Sequence, residues 1–275
     1  MKIKSALYFT TIVAILFSPF TMLTAAQSGK ILKETRKLPS FSSIQSNGSV
    51  DIIVTQGNAQ TVVVEADAGL LPHLRTEVED GVLSVGIKSY RKSFKVAKVY
   101  VQLPKLDKAS LNGSGDLIVK NNFKGNSLKV KLNGSGDFDG DLELKKLEIY
   151  ISGSGDASFR GINGDLKISV GGSGDVYASN LRLSDCSIKI AGSGDMTLKG
   201  STENMVIGLA GSGDVDAHDL KAVNVSVSIA GSGDVDIFAV ESISASIIGS
   251  GDVSYSGNPK TVNVSSTGSG SLIKN

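Results

Sequence analysis

From residue 107 onward, apolar and polar residues alternate with a period of two, stop at a glycine-rich quartet, and resume in the same phase about 19 residues later. The quartet is Gly-Ser-Gly-Asp. Its first glycines stand at 113, 134, 153, 172, 192, 211, 231 and 249, with a degenerate Gly-Ser-Gly-Ser at 268, so successive steps are 21, 19, 19, 20, 19, 20, 18 and 19 residues. Aligned on that glycine, the sequence falls into columns. Two positions before it are Leu111, Leu132, Ile151, Val170, Ile190, Leu209, Ile229, Ile247 and Ser266. Four before are Ala109, Val130, Ile149, Ile168, Ile188, Ile207, Val227, Ala245 and Val264, and six before are Asp107, Leu128, Leu147, Leu166, Cys186, Met205, Val225, Ile243 and Val262. Of these 27 positions 25 are apolar, and the exceptions, Asp107 and Ser266, belong to the first and last copies. The positions between them carry Lys129, Lys131, Glu148, Lys167 and Lys189 in early copies and Ser226, Ser228, Ser244 and Ser246 in late ones.

One apolar and one polar face at a period of two is the signature of a half-buried strand. A second strand begins just past the aspartate, at Leu117, Phe138, Val176, Met196, Val215, Val235 and Val253. Each copy therefore predicts strand, quartet, strand and a looser return. Repeats of one period stack as quasi-one-dimensional coils. The expected fold is all-β: a single-chain parallel β-solenoid of about nine coils, ~40 Å long at the ladder spacing of ~4.8 Å.

The expected organisation is a leader at 1–26, a linker at 27–37, a β-rich cap at 38–106 and the solenoid at 107–275. Within the cap, residues 49–55, 61–65, 75–79, 82–87 and 96–103 alternate, Asp80-Gly81 marks a hairpin, and a helical turn is expected around 70–74. A solenoid leaves ladder edges open at its ends, and this region is expected to cover the first coil.

Both glycines of the quartet admit unusual backbone angles, and its aspartate can accept backbone amides, which suits a corner. Stacking aligns Asp116, Asp137, Asp156, Asp175, Asp195, Asp214, Asp234 and Asp252. Neighbouring carboxylates ~4.8 Å apart in water repel by roughly 0.9 kcal/mol before screening. Hydrogen bonds to a charged acceptor return ~1.5–3 kcal/mol, so amides alone can hold the column. These eight aspartates are also the candidate calcium ligands, because stacked Gly-Asp turns of the nonapeptide β-roll bind that ion and Asp139, Asp216 and Asp236 add acids nearby. The β-roll, however, places a loop every nine residues on both edges, whereas here there is one per coil. The quartet is thus read first as a turn, with no cofactor expected. A phosphate cradle needs a helix after the glycines, and here a strand follows. A serine nucleophile needs a base, and the chain has only His73 and His218. No catalytic residue is assigned.

Lys2 and Lys4 precede an apolar run over residues 6–17, with small residues at 24–26, the pattern of a secretory signal peptide. Cleavage after Ala26 would remove two of 28 basic residues and none of 27 acids, leaving a net charge of −1 on 249 residues. That balance excludes the basic excess that nucleic-acid binding requires. The lone cysteine, Cys186, sits in an inward column and reads as a small core residue with no disulfide partner. Thirty-two glycines and no tryptophan favour a turn-rich β protein. One stretch is strongly basic: Lys88, Arg91, Lys92, Lys95, Lys98, Lys105 and Lys108, with only Asp107 among them. It is either a contact for anionic ligands or a solvated face that blocks edge pairing.

The stretches SNGSVDIIVTQGNAQTVVVEADAGLLPHLRTEVEDGVLSVGIK (46–88) and VYVQLPKLDKASLNGSGDLIV (99–119) resemble the start of the family known as putative auto-transporter adhesin, head GIN domain. The resemblance implies a secreted or envelope-associated β-solenoid, mainly of Gram-negative bacteria, with no catalytic residues to carry over. A true autotransporter adds a C-terminal membrane barrel, so self-export is not expected of this chain. The expected function is non-enzymatic: an exported surface for binding or adhesion in the periplasm, at the cell surface or outside the cell. Its expected partners are a glycan, an envelope polymer or a protein. Two alternatives stand beside it, a lyase- or pectinase-like enzyme on a β-helix and a calcium-stabilised scaffold. The oligomeric state is left open.

Overall fold

A computed structural model describes residues 30–275. The leader lies outside the described residues. Nearly everything else is strand, and the chain winds into a stack of coils, a β-solenoid of about nine turns. The N-terminal portion comprises β1 (Ile31–Arg36), β2 (Ser43–Gly48), β3 (Asp51–Gln56), β4 (Thr61–Asp67), a 3-10 turn (Leu71–His73), β5 (Leu74–Glu79), β6 (Val82–Ile87) and β7 (Ala97–Leu103). β8 (Lys108–Gly113) then leads into seven strands that each run from one corner to the next. These are β9 (Leu117–Gly134), β10 (Phe138–Gly153), β11 (Ala157–Gly172), β12 (Val176–Gly192), β13 (Met196–Gly211), β14 (Val215–Gly231) and β15 (Val235–Gly249). Three shorter strands close the stack: β16 (Val253–Ser256), β17 (Thr261–Gly268) and β18 (Leu272–Lys274).

Consecutive coils pair in parallel, with Gly134 opposite both Gly113 and Gly153, and Gly192 opposite both Gly172 and Gly211. The step between copies varies from 18 to 21 residues, yet the corner glycines never slip. Register shifts absorb the difference on the return, for instance between Ala178 and Leu181 and between Ala217 and Lys221. The inward columns form one continuous core, in which Leu128, Leu147, Ile149, Ile168, Cys186 and Ile207 are all buried. Cys186 is only 2% exposed, and burial pushes its thiol up to about 12.

The solenoid begins earlier than the GSGD pattern. Residues 48–51, Gly-Ser-Val-Asp, make a corner of the same kind: Gly48 lies opposite Gly113, and Ile52 lies opposite Leu117. Although the sequence places all of 38–106 outside the repeat's phase, 43–56 is in phase. The remainder of that region builds the N-terminal end. β6 continues the ladder below β2, β7 continues it below β3, and β5 and β4 add one antiparallel strand to each ladder by pairing with β6 and β7. The Asp80-Gly81 hairpin forms as expected, with both residues at positive φ, and the helical turn forms at Leu71–His73.

Residues 31–36, expected as linker, are instead β1, which pairs antiparallel with β4 from Ile31–Asp67 to Arg36–Val62. Its side chains stay largely in solvent, with Ile31 48% exposed, so the strand rests on backbone pairing and has no apolar alternation to announce it. At the other end Val262 and Val264 stand in inward columns yet are 41% and 53% exposed. No strand among the described residues stacks on β17 beyond β15.

Candidate binding faces

The corner sets the geometry of everything it presents. Gly134, at φ +136°, occupies a region that side-chain-bearing residues avoid. The third position is glycine for a different reason. A Cβ at Gly155 would be driven into the carbonyl oxygen of Gly136 in the coil below. Val50 is tolerated at the same position of the 48–51 corner because no corner lies beneath it: even a Cβ at Gly48 meets nothing within 4 Å.

The aspartate column is joined from coil to coil. Asp116 Oδ1 accepts the amide N–H of Asp137, Asp137 accepts that of Asp156, and the chain of bonds runs from Asp51 to Ser271 at 2.7–3.3 Å. The sequence suggested amide caps within each turn; the amide accepted belongs to the next coil. Each corner carboxylate thus offsets its repulsion from its neighbours with a charged hydrogen bond that also fixes the spacing of the stack. Among the described residues, no three of His, Cys, Asp or Glu converge as a metal-ligand set.

Two flat faces flank this edge. On the upstream face, formed by strands entering the corner, the early coils carry Lys108, Lys129, Lys131, Lys167 and Lys189. There Glu148 bridges Lys146 at 2.9 Å and Lys129 at 3.3 Å and accepts the Tyr150 hydroxyl at 3.1 Å, contacts that hold its carboxyl at about 2 despite partial burial. Lys129 Nζ lies 4.6 Å from the Tyr150 ring centre, a cation–π contact across coils. A side-chain ladder runs alongside, with Asn133 donating to Asn112 at 2.8 Å and Asn112 to Asn47 at 2.9 Å. In the late coils this face turns small and uncharged, with Ser226, Ser228, Ser244 and Ser246 beside the exposed Val206 and Ile248.

The downstream face, formed by strands leaving the corner, is acidic. Beyond the corner aspartates, the next outward column holds Ile53, Ile118, Asp139, Ser158, Tyr177, Thr197, Asp216, Asp236 and Ser254. Asp141 pairs with Arg160 at 3.0 Å and also accepts the Asn122 amide, and the Arg160 contact comes first in holding its carboxyl below the usual range. His218 lies here, 3.7 Å from Asp236 and edge-on to Phe238. His73 lies at the N-terminal end, with Nδ1 3.0 Å from the Lys88 carbonyl and its ring beside Tyr90.

The basic stretch does not form one patch. Lys88, Arg91, Lys92 and Lys95 belong to the segment between β6 and β7, around Tyr90 and Phe94. Lys98 is in register with Asp51 on the downstream face, Lys105 pairs with Asp107 at 2.9 Å, and Lys108 is in register with Lys129 on the upstream face. Sequence proximity misleads because successive strands of a coil point in different directions. Two features escaped the sequence pattern, the GSVD corner and the Tyr177 column. The first was legible as a GSxD match; the second required the register between coils.

The architecture defines a class: a rigid parallel β-solenoid whose outward columns form flat, chemically distinct faces. The family described as putative auto-transporter adhesin, head GIN domain, matches residues 40–199 and 188–259, and the chain belongs to it. No curated protein matches the chain. Its fold is similar to that of a "putative adhesin" of Parabacteroides distasonis, at 22% identity and a TM-score of 0.70, over 90% of this chain and 98% of that one. A "putative adhesin" of Parabacteroides merdae is similar at 24% identity and 0.68, over 90% and 97%. A "putative lipid binding protein" of Parabacteroides distasonis is similar at 27% identity and 0.66, over 90% and 98%.

Proposed function

We propose that the protein is an exported, non-enzymatic β-solenoid that presents a binding surface in the bacterial cell envelope. The observation that carries this reading is the corner lattice. Nine carboxylate-to-amide bonds hold the coils in one register, so the side chains beside them form a preorganised array. A preorganised array loses little conformational freedom when a ligand binds. Membership of the family described as putative auto-transporter adhesin, head GIN domain, supports the same reading. The test is saturable binding of purified protein to an immobilised panel of glycans, envelope polymers and matrix proteins, with no change to the ligand. Failure to bind any of them removes adhesion. Release of reducing ends or unsaturated sugars replaces it with an enzyme.

A second reading, contact with lipid, draws on the segment between β6 and β7. Lys88, Arg91, Lys92 and Lys95 surround the half-buried Tyr90 and Phe94, and a depression of about 450 Å³ lies between that segment and His73. Cationic and aromatic side chains together suit an anionic membrane interface. Co-sedimentation with anionic but not neutral vesicles, lost when the four cations are replaced by serine, would favour it over the first.

A further inference from the structure

We infer that the downstream face between Ile118 and Tyr177 is a subsite for a neutral glycan chain, with Tyr177 as the platform on which a sugar ring stacks. This rests on the binding function proposed above and assigns it a ligand class. Tyr177 points outward from β12 between Ser158 and Thr197, its partners in the neighbouring coils. Both are too short to shield it, and it is 46% exposed. A tyrosine held this way offers a flat apolar face and a hydroxyl at its rim, the combination that suits a ligand with apolar C–H faces and polar edges.

Beside Tyr177 the face dips. Ser158 and Asp139, small residues in the same column, leave a depression of about 130 Å³ walled by Asp141, Arg160 and Ser179. A second depression of about 300 Å³ reaches down to Ile118 and Asp116 and shares Asp139 and Ser158 with the first. The two adjoin at Asp139 and Ser158, and together their linings span the coils from Ile118 to Tyr177, an extent that fits a chain better than a compact metabolite. Its polar groups are mixed. Asp139 accepts hydrogen bonds, the serine hydroxyls donate and accept, and Arg160 is oriented by its Nε contact to Asp141 at 3.0 Å. A few placed polar groups around an apolar platform are what orient a hydroxyl-rich ligand.

Charge selects among glycans. Asp116, Asp137, Asp139 and Asp156 line the two depressions and Asp175 follows in the corner column; of the cations beside them Arg160 is paired with Asp141 and Lys199 with Asp219, each at 3.0 Å, and Lys120 has no carboxylate partner among the described residues. A uronic-acid or sulfated polymer would meet net repulsion, because these five carboxylates outnumber Lys120. An uncharged hexopyranose chain meets none. The floor is also preformed, because Asp156 and Asp175 are locked by the corner bonds at 2.8 Å.

The test is affinity electrophoresis and calorimetry of the purified protein with amylose, laminarin and mannan against polygalacturonate and alginate. Saturable binding to a neutral polymer and none to the polyanions is expected. Tyr177→Ala should weaken that binding by at least about tenfold, as removal of a central aromatic anchor does. Tyr177→Phe, which keeps the ring, should restore most of it. Unaltered melting temperatures would show that each variant folds. Absence of binding to every neutral polymer, or binding undiminished in Tyr177→Ala, would overturn the subsite. In either case, wild-type binding to matrix proteins or to other envelope polymers would leave the wider adhesive function standing, and its absence there too would remove both.

Discussion

At the corner three positions do separate work. Gly134 supplies a backbone angle, Gly155 supplies the absence of a Cβ where two coils touch, and Asp156 supplies a charged acceptor for the amide above. Only the middle role is purely steric, and it yields the sharpest test. Gly155→Ala should destabilise the protein by about 1–3 kcal/mol, the usual range for overpacking, since the obstruction is a backbone oxygen that cannot rotate away. A lower urea midpoint with an unchanged slope would register it. Because the Cβ at this position meets the coil beneath, glycine is required from 115 upward while Val50 fits at the first corner. That is also why a search for GSGD passes over residues 48–51: the constraint that writes the second glycine is absent there.

Between elements, what matters is which part of a coil can vary. The corners hold register and the returns absorb insertions, so the two flat faces are conserved in geometry along the stack whatever each coil's length. Across those coils the Glu148 cluster links β9 to β10 through Lys129, with Lys146 and Tyr150 from its own strand. Its carboxyl stands at about 2 in the folded protein against an ordinary 4.5, so the carboxylate form stabilises the fold. That contribution is complete above about 4.5 and is lost as pH falls toward 2. Replacing it, Glu148→Gln, should therefore lower the melting temperature at neutral pH and flatten its acid limb between those values. A carboxyl resonance titrating near 4.5 in the folded state would contradict the assignment.

For the molecule as a whole, stability comes from one continuous aliphatic core and a lattice of amide-bonded carboxylates, with the lone thiol buried in the core. If the corners are complete without a cation, chelator should leave the melting temperature where calcium puts it. A rise in calcium would instead show a site that binds the native state preferentially.

Much of this fold could be read along the chain, because the solenoid's constraints are periodic. Every coil repeats the same inward columns and the same corner, so Leu147, Ile168 and Ile207 announce the core by spacing alone. β1 could not be read that way: an exposed edge strand is held by backbone pairing, which leaves little mark on side chains. Nor could the faces. Asp139, Ser158 and Tyr177 each stand 19 residues from the next, and Arg160 meets Asp141 from the next coil, so their meeting depends on an inter-coil register that no local pattern encodes. The linear run of cations shows the reverse case, close in sequence and dispersed in space. Alternation and period determine which way a residue points; only the stacking of coils decides what stands beside it, because contacts between coils are made by backbone ladders that are indifferent to the side chains they bring together.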